Sequence, residues 1–175
     1  MNNEVGRIYE SKNWFIRHYS NKYLKKSVEL LDAKEGDVIL DFGCGEQHLK
    51  NVIRKGKIIG YDIDPNLSDV DDYKKVKANK IFACQSLEHL KHDELIEAIE
   101  HFKSMNPEKV IIATSTDNII SEIGIKLIRS VSDSHDTHYS DYKTIHKLMG
   151  RYFNLIRKRN IYTLNIVSEW HLKTT

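Results

Sequence analysis

The sequence predicts an α/β three-layer sandwich: a mostly parallel sheet between helices, with an antiparallel hairpin at its C-terminal end. Three observations carry this. Four short runs are apolar without alternation, and each stops abruptly at glycine, aspartate, proline or a polar cluster. Stretches with helical apolar spacing lie between the runs, as right-handed crossovers between parallel strands require. The last two β-rich stretches, 153–159 and 161–168, are too close for a crossover helix and must pair antiparallel at one edge.

The elements follow in order. From Tyr9 to Ala33 no Gly or Pro occurs, and Phe15, Tyr19, Tyr23, Leu24, Val28 and Leu31 recur on one helical face, so an amphipathic helix ending at Gly36 is expected. Val38-Ile39-Leu40 is the first strand and opens into Asp41-Phe42-Gly43-Cys44-Gly45. Ile58-Ile59-Gly60-Tyr61 is the second, closed by Asp62-Ile63-Asp64-Pro65. Ile81-Phe82-Ala83-Cys84 is the third and runs into Gln85-Ser86-Leu87-Glu88-His89-Leu90; Val110-Ile111-Ile112-Ala113 is the fourth. Helices are expected over 46–54, 91–104, 118–130 and 140–150. No repeat or linker interrupts the chain, so one domain over residues 1–175 is predicted, with a helical cap (1–35) on an α/β core (36–175).

Composition narrows the function classes. The chain has 175 residues, 27 Lys+Arg against 25 Asp+Glu, and 40% hydrophobic residues, which excludes a disordered or low-complexity polymer. Cys44 and Cys84 stand apart and in apolar surroundings, so neither a disulfide framework nor a cysteine zinc site is indicated. No window is apolar enough for a membrane span and no export signal opens the chain, so a cytoplasmic location is expected. A net charge of +2 does not argue for nucleic acid, although Arg151, Arg157, Lys158 and Arg159 concentrate positive charge late in the chain.

In an open α/β sheet, ligands bind at the carboxyl ends of the strands. Asp41, Asp62, Gln85 and Thr114 fall at such ends. Gly43 and Gly45 let the backbone turn sharply and approach a ligand, and Asp62 ends the next strand, where a carboxylate can accept both hydroxyls of a ribose. A dinucleotide site would need a third glycine where His48 stands, and Asp41 would repel a pyrophosphate. A nucleoside bearing positive charge, such as S-adenosylmethionine with its ammonium and sulfonium, suits Asp41.

VILDFGCG, IIGYDID, IFACQSLEHL and VIIATST, in that order, resemble the successive strand-end motifs of class I S-adenosylmethionine-dependent methyltransferases, in particular the small ones acting on small molecules, lipids or RNA ends. The resemblance runs from about Gly36 to Phe153, and His138-Tyr139-Ser140 before a helix also fits it. It implies a Rossmann-like sheet of seven strands and transfer of a methyl group to an acceptor. It also implies a cofactor pocket of Asp41, Gly43, Cys44, Gly45, Asp62, Ile63 and Gln85, with Asp62 on the ribose and Ile63 against the adenine. Glu88, His89 and His138 are the candidate catalytic groups. Residues 65–79 are too few for the helix, strand and helix the family places there, so an element must be shortened or lost between the family's second and fourth strands. Asp69, Asp71 and Asp72 are the candidate partners of the adenine amino group, and Lys80 replaces the acid that usually opens the next strand.

Two alternatives stay open. Gln85-x-x-Glu88-His89 with His135 or His138 resembles the divalent-metal site of methyltransferases that modify the terminal 2′-hydroxyl of small RNAs, with Glu88, His89, His135 and His138 as ligands. The short segment 65–79 also admits a non-catalytic binding module that keeps the fold. The acceptor and the oligomeric state have no signature in the sequence.

Overall fold

The computed structural model describes residues 14–116, 138–161 and 164–174. Within them the chain forms helix α1 (Trp14–Leu31), strand β1 (Val38–Phe42), α2 (His48–Val52), β2 (Lys57–Tyr61), β3 (Lys80–Cys84), α3 (His92–Ser104), β4 (Lys109–Ser115), α4 (Tyr142–Tyr152), β5 (Phe153–Ile161) and β6 (Asn165–Leu172), with 3-10 turns at Tyr73–Lys75 and Leu87–His89. The expected helix over 118–130 lies outside the described residues.

The sheet order is β2-β1-β3-β4-β6-β5. β1 pairs in parallel with β2 and β3, and β3 with β4. β6 is antiparallel to both neighbours, so the last strand is wedged between β4 and β5. The unalternating runs are explained by burial on both faces: Ile39, Leu40, Ile81, Val110, Ile111, Ile112 and Ala113 are wholly buried. Leu40, Ile81, Val110 and Ile112 face α3 and α4, packing with Leu95, Ile99, Phe102, Ile145 and Met149. Ile39, Phe82, Ile111, Ala113 and Val167 face α1 and α2 through Tyr23, Leu24, Leu31 and Leu49.

The expected seventh strand is not found among the described residues: residues 62–79 run as a loop with one 3-10 turn, and β2 is an edge. That loop is built on Asp69. Its carboxylate accepts from the Gly60 N–H at 2.7 Å and from Lys50 Nζ at 2.5 Å, while Asp69 N–H donates to the Gly60 carbonyl at 2.9 Å. A short folded loop therefore covers the edge that a further strand would occupy.

At the opposite end of the sheet Lys80 is buried, with Nζ 2.8 Å from Asp37 and donating to the Asp32 carbonyl at 2.7 Å. Asp37 also accepts from the Lys34 N–H and from Asn79 Nδ2. The lysine that replaces the expected acid thus ties the end of α1 to the start of β1 and β3. Trp170 packs in the core with its indole N–H on Ser168, as expected of a packing residue. The Trp14 side chain lies outside the described residues.

Candidate active site

β1 delivers Asp41 and Phe42 to the carboxyl edge and the chain then reverses through Gly43–Gly45. The Gly43 and Cys44 N–H groups both donate to the Tyr61 carbonyl, at 2.7 and 3.0 Å, which locks the turn over the end of β2. Gly43 has φ +73°, and a β-carbon there would overlap the β-carbon of Ser86. Only glycine fits both the backbone and the space. Ser86 Oγ, facing this turn, is buried without a hydrogen-bond partner among the described residues.

Asp62 follows β2. One carboxylate oxygen accepts from the Gly45 N–H at 2.9 Å and the other from the Asp64 N–H at 3.0 Å. Each oxygen keeps a second lone pair for an external donor, and the two bonds fix the carboxylate's direction. Beside it Ile63 is 88% exposed, an apolar surface next to the Asp62 carboxylate. Asp41 is buried on the α1 side of β1; that burial, together with the negative charges of Asp62 and Asp69, outweighs Lys50 and pushes its carboxyl up to about 7.

Cys44 lies beneath the loop, donating to the Leu67 carbonyl at 3.5 Å, and burial pushes its thiol up to about 12, so it is no nucleophile. Of the three acids considered for the adenine amino group, Asp69 is committed to Gly60 and Lys50; despite its burial, these bonds hold its carboxyl below the ordinary range. Asp72 caps the 3-10 turn by accepting from the Lys74 N–H at 2.9 Å, and Asp71 is exposed.

Gln85 adopts φ +53°, a left-handed conformation that turns its side chain off the end of β3. Its amide donates to Tyr23 Oη of α1 at 2.9 Å and to Asn165 Oδ1 of β6 at 3.0 Å, and its N–H to the Ala113 carbonyl at 2.8 Å. One residue, through its side chain and its backbone N–H, thus ties α1, β4 and β6 to the end of β3 at the mouth of the site. Tyr23 and Asn165 are site-forming residues with no signature in the sequence: a tyrosine on a helix face reads as core, and Asn165 reads as a strand residue.

The chain returns to the site at His138–Ser140. The Tyr139 and Ser140 N–H groups donate to the Glu88 carbonyl at 2.8 and 3.1 Å, and Asp141 caps α4 by accepting from the Thr144 N–H. This brings the His138 ring 5.0 Å from that of His89. One ligand atom each from Glu88, His89 and His138 lie within 4.8 Å of one another, a spacing that can hold a metal ion. His135 lies outside the described residues. Thr114 is buried at the end of β4.

The comparisons agree with the fold. A family model described as a methyltransferase domain matches residues 15–159. No curated protein matches the chain significantly in sequence. Among solved structures, magnesium protoporphyrin IX methyltransferase from Synechocystis PCC 6803, with bound S-adenosylhomocysteine, superposes with TM-score 0.67 at 15% identity, covering 97% of this chain and 93% of that one. The N-methyltransferase NodS from Bradyrhizobium japonicum WM9, also in complex with S-adenosylhomocysteine, gives 0.68 at 10% identity over 98% and 97%. The small RNA methyltransferase HEN1 gives 0.64 at 15% identity, over 89% of this chain and 25% of that longer one. With a family model spanning most of the chain and a sheet that carries its glycine turn and acids at the strand ends, the chain belongs to the methyltransferase-domain family.

Proposed function

We propose that the domain is an S-adenosylmethionine-dependent methyltransferase whose cofactor lies across the ends of β1, β2 and β3. The observation that carries the reading is the Gly43–Gly45 turn: Gly43 closes it against Ser86, while Gly45 faces open space directly beside the fixed carboxylate of Asp62. The residues fit the group. Asp62 would take the ribose hydroxyls, Ile63 would cover one face of the adenine, and Asp41 with Gly43, Cys44 and Gly45 would border the methionine part. Ser86 Oγ offers a buried hydroxyl that a bound polar group would satisfy. Bound there, the cofactor supplies an electrophilic methyl on a sulfonium. The protein's part is to hold the acceptor in line with it, to exclude water and to receive a proton. Glu88, His89 and His138 would be the groups for the last task. Neighbours crystallised with S-adenosylhomocysteine support the cofactor reading.

Calorimetric titration tests it. S-adenosylmethionine and S-adenosylhomocysteine should bind the wild type with micromolar affinity or tighter, and Asp62→Ala should abolish both. Silence of the wild type would leave the non-catalytic binding module as the reading.

A specific observation favours a second, narrower reading. Glu88, His89 and His138 combine one carboxylate with two imidazoles at ligating separation, a donor set suited to a divalent transition metal. Such a metal would bind the vicinal hydroxyls of an RNA 3′ end and direct methylation to the 2′-oxygen. The likeness to HEN1 supports this fold relation. Manganese and S-adenosylhomocysteine together should then raise the melting temperature beyond the sum of their separate effects, and His138→Ala should remove the metal's share. Additive effects in the wild type would exclude this reading while leaving the cofactor reading intact.

A further inference from the structure

The strand order marks where a ligand should lie. From β1 the chain passes to β2 on one side and then crosses to β3 on the other, so the order reverses between β1 and β3. In an open α/β sheet that reversal opens a crevice at the carboxyl ends of the strands, and ligands occupy it. Phe42 lies in register with Ala83, which sets the turn after β1 beside the turn after β3. Gly43 and Ser86 are the residues that meet there.

On the β1 side of the crevice the backbone is already committed. The Gly43 and Cys44 N–H groups both donate to the Tyr61 carbonyl, and the Gly45 N–H donates to Asp62. Turns of this kind often hold an anionic group through their N–H groups, but all three here are spent within the fold. The charges around the turn do not serve an anion either. After burial, it is Asp41, Asp62 and Asp69 that raise the Cys44 thiol, so this corner is acidic. Lys50, the cation that acts on Asp41, is bonded to Asp69. A cationic group therefore finds Asp41, whereas an anionic group needs a donor from the β3 side.

Ser86 is that donor. Its Oγ is buried and has no hydrogen-bond partner among the described residues. The residue stands just ahead of the 3-10 turn Leu87–His89, where a serine hydroxyl ordinarily caps a backbone N–H, yet its side chain caps nothing. An unbonded buried hydroxyl costs stability, and nothing in the free fold offsets it.

We propose that the Ser86 hydroxyl donates to the carboxylate at the amino-acid end of S-adenosylmethionine. The proposal rests on the cofactor reading above and adds the group that fixes that end. Ser86 as a residue is half-buried, and rotation about its Cα–Cβ bond between staggered positions carries Oγ out from beneath Gly43 with no change of backbone. With Asp62 on the sugar and Ser86 on the carboxylate, the cofactor is held on both sides of the reversal, which sets the direction of the methyl between them.

Calorimetry with three adenosine ligands tests this. S-adenosylhomocysteine carries the sugar, the ammonium and the carboxylate. 5′-(3-Aminopropylthio)adenosine lacks only the carboxylate, and 5′-methylthioadenosine lacks both charged groups. Ser86→Ala should weaken S-adenosylhomocysteine at least about tenfold, as loss of a hydrogen bond to a charged group does, and leave the other two within about twofold. Asp62→Ala should weaken all three, since all carry the ribose. The free Ser86→Ala protein should melt no lower than the wild type, because the hydroxyl bonds nothing in the free fold. A serine with a merely structural role would lower the melting temperature and weaken every ligand equally, and that result overturns the proposal. So does unchanged affinity of Ser86→Ala for S-adenosylhomocysteine. An equal loss for S-adenosylhomocysteine and the aminopropyl ligand also overturns it, since the hydroxyl would then serve the ammonium. Failure of the cofactor reading looks different: the wild type binds none of the three ligands, and both claims fall together. If the wild type binds S-adenosylhomocysteine and Ser86→Ala binds it equally well, only the Ser86 assignment falls.

Discussion

Asp41→Asn separates what a residue does for stability from what it does for binding. In the folded protein the Asp41 carboxyl titrates near 7, raised by burial from an ordinary 3.8. Between these values the folded state holds a proton that the unfolded state has released, so stability falls as pH rises, by about 1.4 kcal/mol per unit. Over the interval of about three units the loss reaches about 4 kcal/mol by pH 8. Asparagine has nearly the same shape and no charge. Below pH 4 the substitution should therefore change stability little, and at pH 8 it should stabilise the free protein by up to about 4 kcal/mol. Urea unfolding at pH 4.5, 6 and 8 measures this through the midpoint at constant slope. Binding should move the other way. If the Asp41 charge faces a cationic group of the cofactor, the asparagine variant binds S-adenosylmethionine more weakly at pH 8, and wild-type binding near pH 7 releases a proton, visible as a heat that depends on the buffer. A stability gain that is the same at all three pH values would refute the reasoning.

Three further outcomes are expected. Gly43→Ala should lower stability by about 2–4 kcal/mol, since φ +73° is costly for any side chain and the Ser86 β-carbon cannot swing aside; Ser86→Gly in the same chain should recover part of that loss in a thermal melt. Lys80→Met should cost about 3–5 kcal/mol by urea unfolding, because it strands a buried Asp37. Burial alone would raise the Asp37 carboxyl, but Lys80, Asn79 and the Lys34 N–H outweigh it and hold it at about 2, so the contribution of these three partners together, about 2 kcal/mol, is intact above pH 4 and fades as pH falls towards 2. Cys44, with its thiol at about 12, should resist iodoacetamide at pH 8 until denaturant is added, as mass spectrometry of the alkylated peptide would show.

The strands and the glycine turn were legible because their signals are local. A run such as Ile81–Cys84, apolar on both faces and ended by a polar cluster, has few structural meanings, and β3 (Lys80–Cys84) follows it within one residue. The hairpin was legible as a hairpin, but its second strand runs Asn165–Leu172 instead of 161–168, since β-propensity alone does not fix where a turn falls. What the sequence hid is made of partners distant along the chain. Asp69 reads as one acid among three until Gly60 and Lys50 are seen around it. Gln85 reads as a pocket residue, and nothing in the sequence shows that Tyr23 and Asn165 accept from its amide. Arg157-Lys158-Arg159 read as one late concentration of positive charge; the run lies within β5, and its alternation divides it, Arg159 toward α1 and Lys158 over the Tyr142 ring of α4.

The wedged position of β6 constrains the order in which the fold can assemble. β5 precedes β6 in the chain yet touches the sheet only through it. The four parallel strands can align by crossovers without the hairpin, but β5 has no docking edge until β6 has paired with β4, across about fifty residues of intervening chain. The edge that carries Arg159 is therefore expected to be the last part of the sheet to become protected from hydrogen exchange on refolding, and the first to open. A substitution that weakens β6 against β4 would loosen the β5 edge while leaving the glycine turn and Asp62 in place.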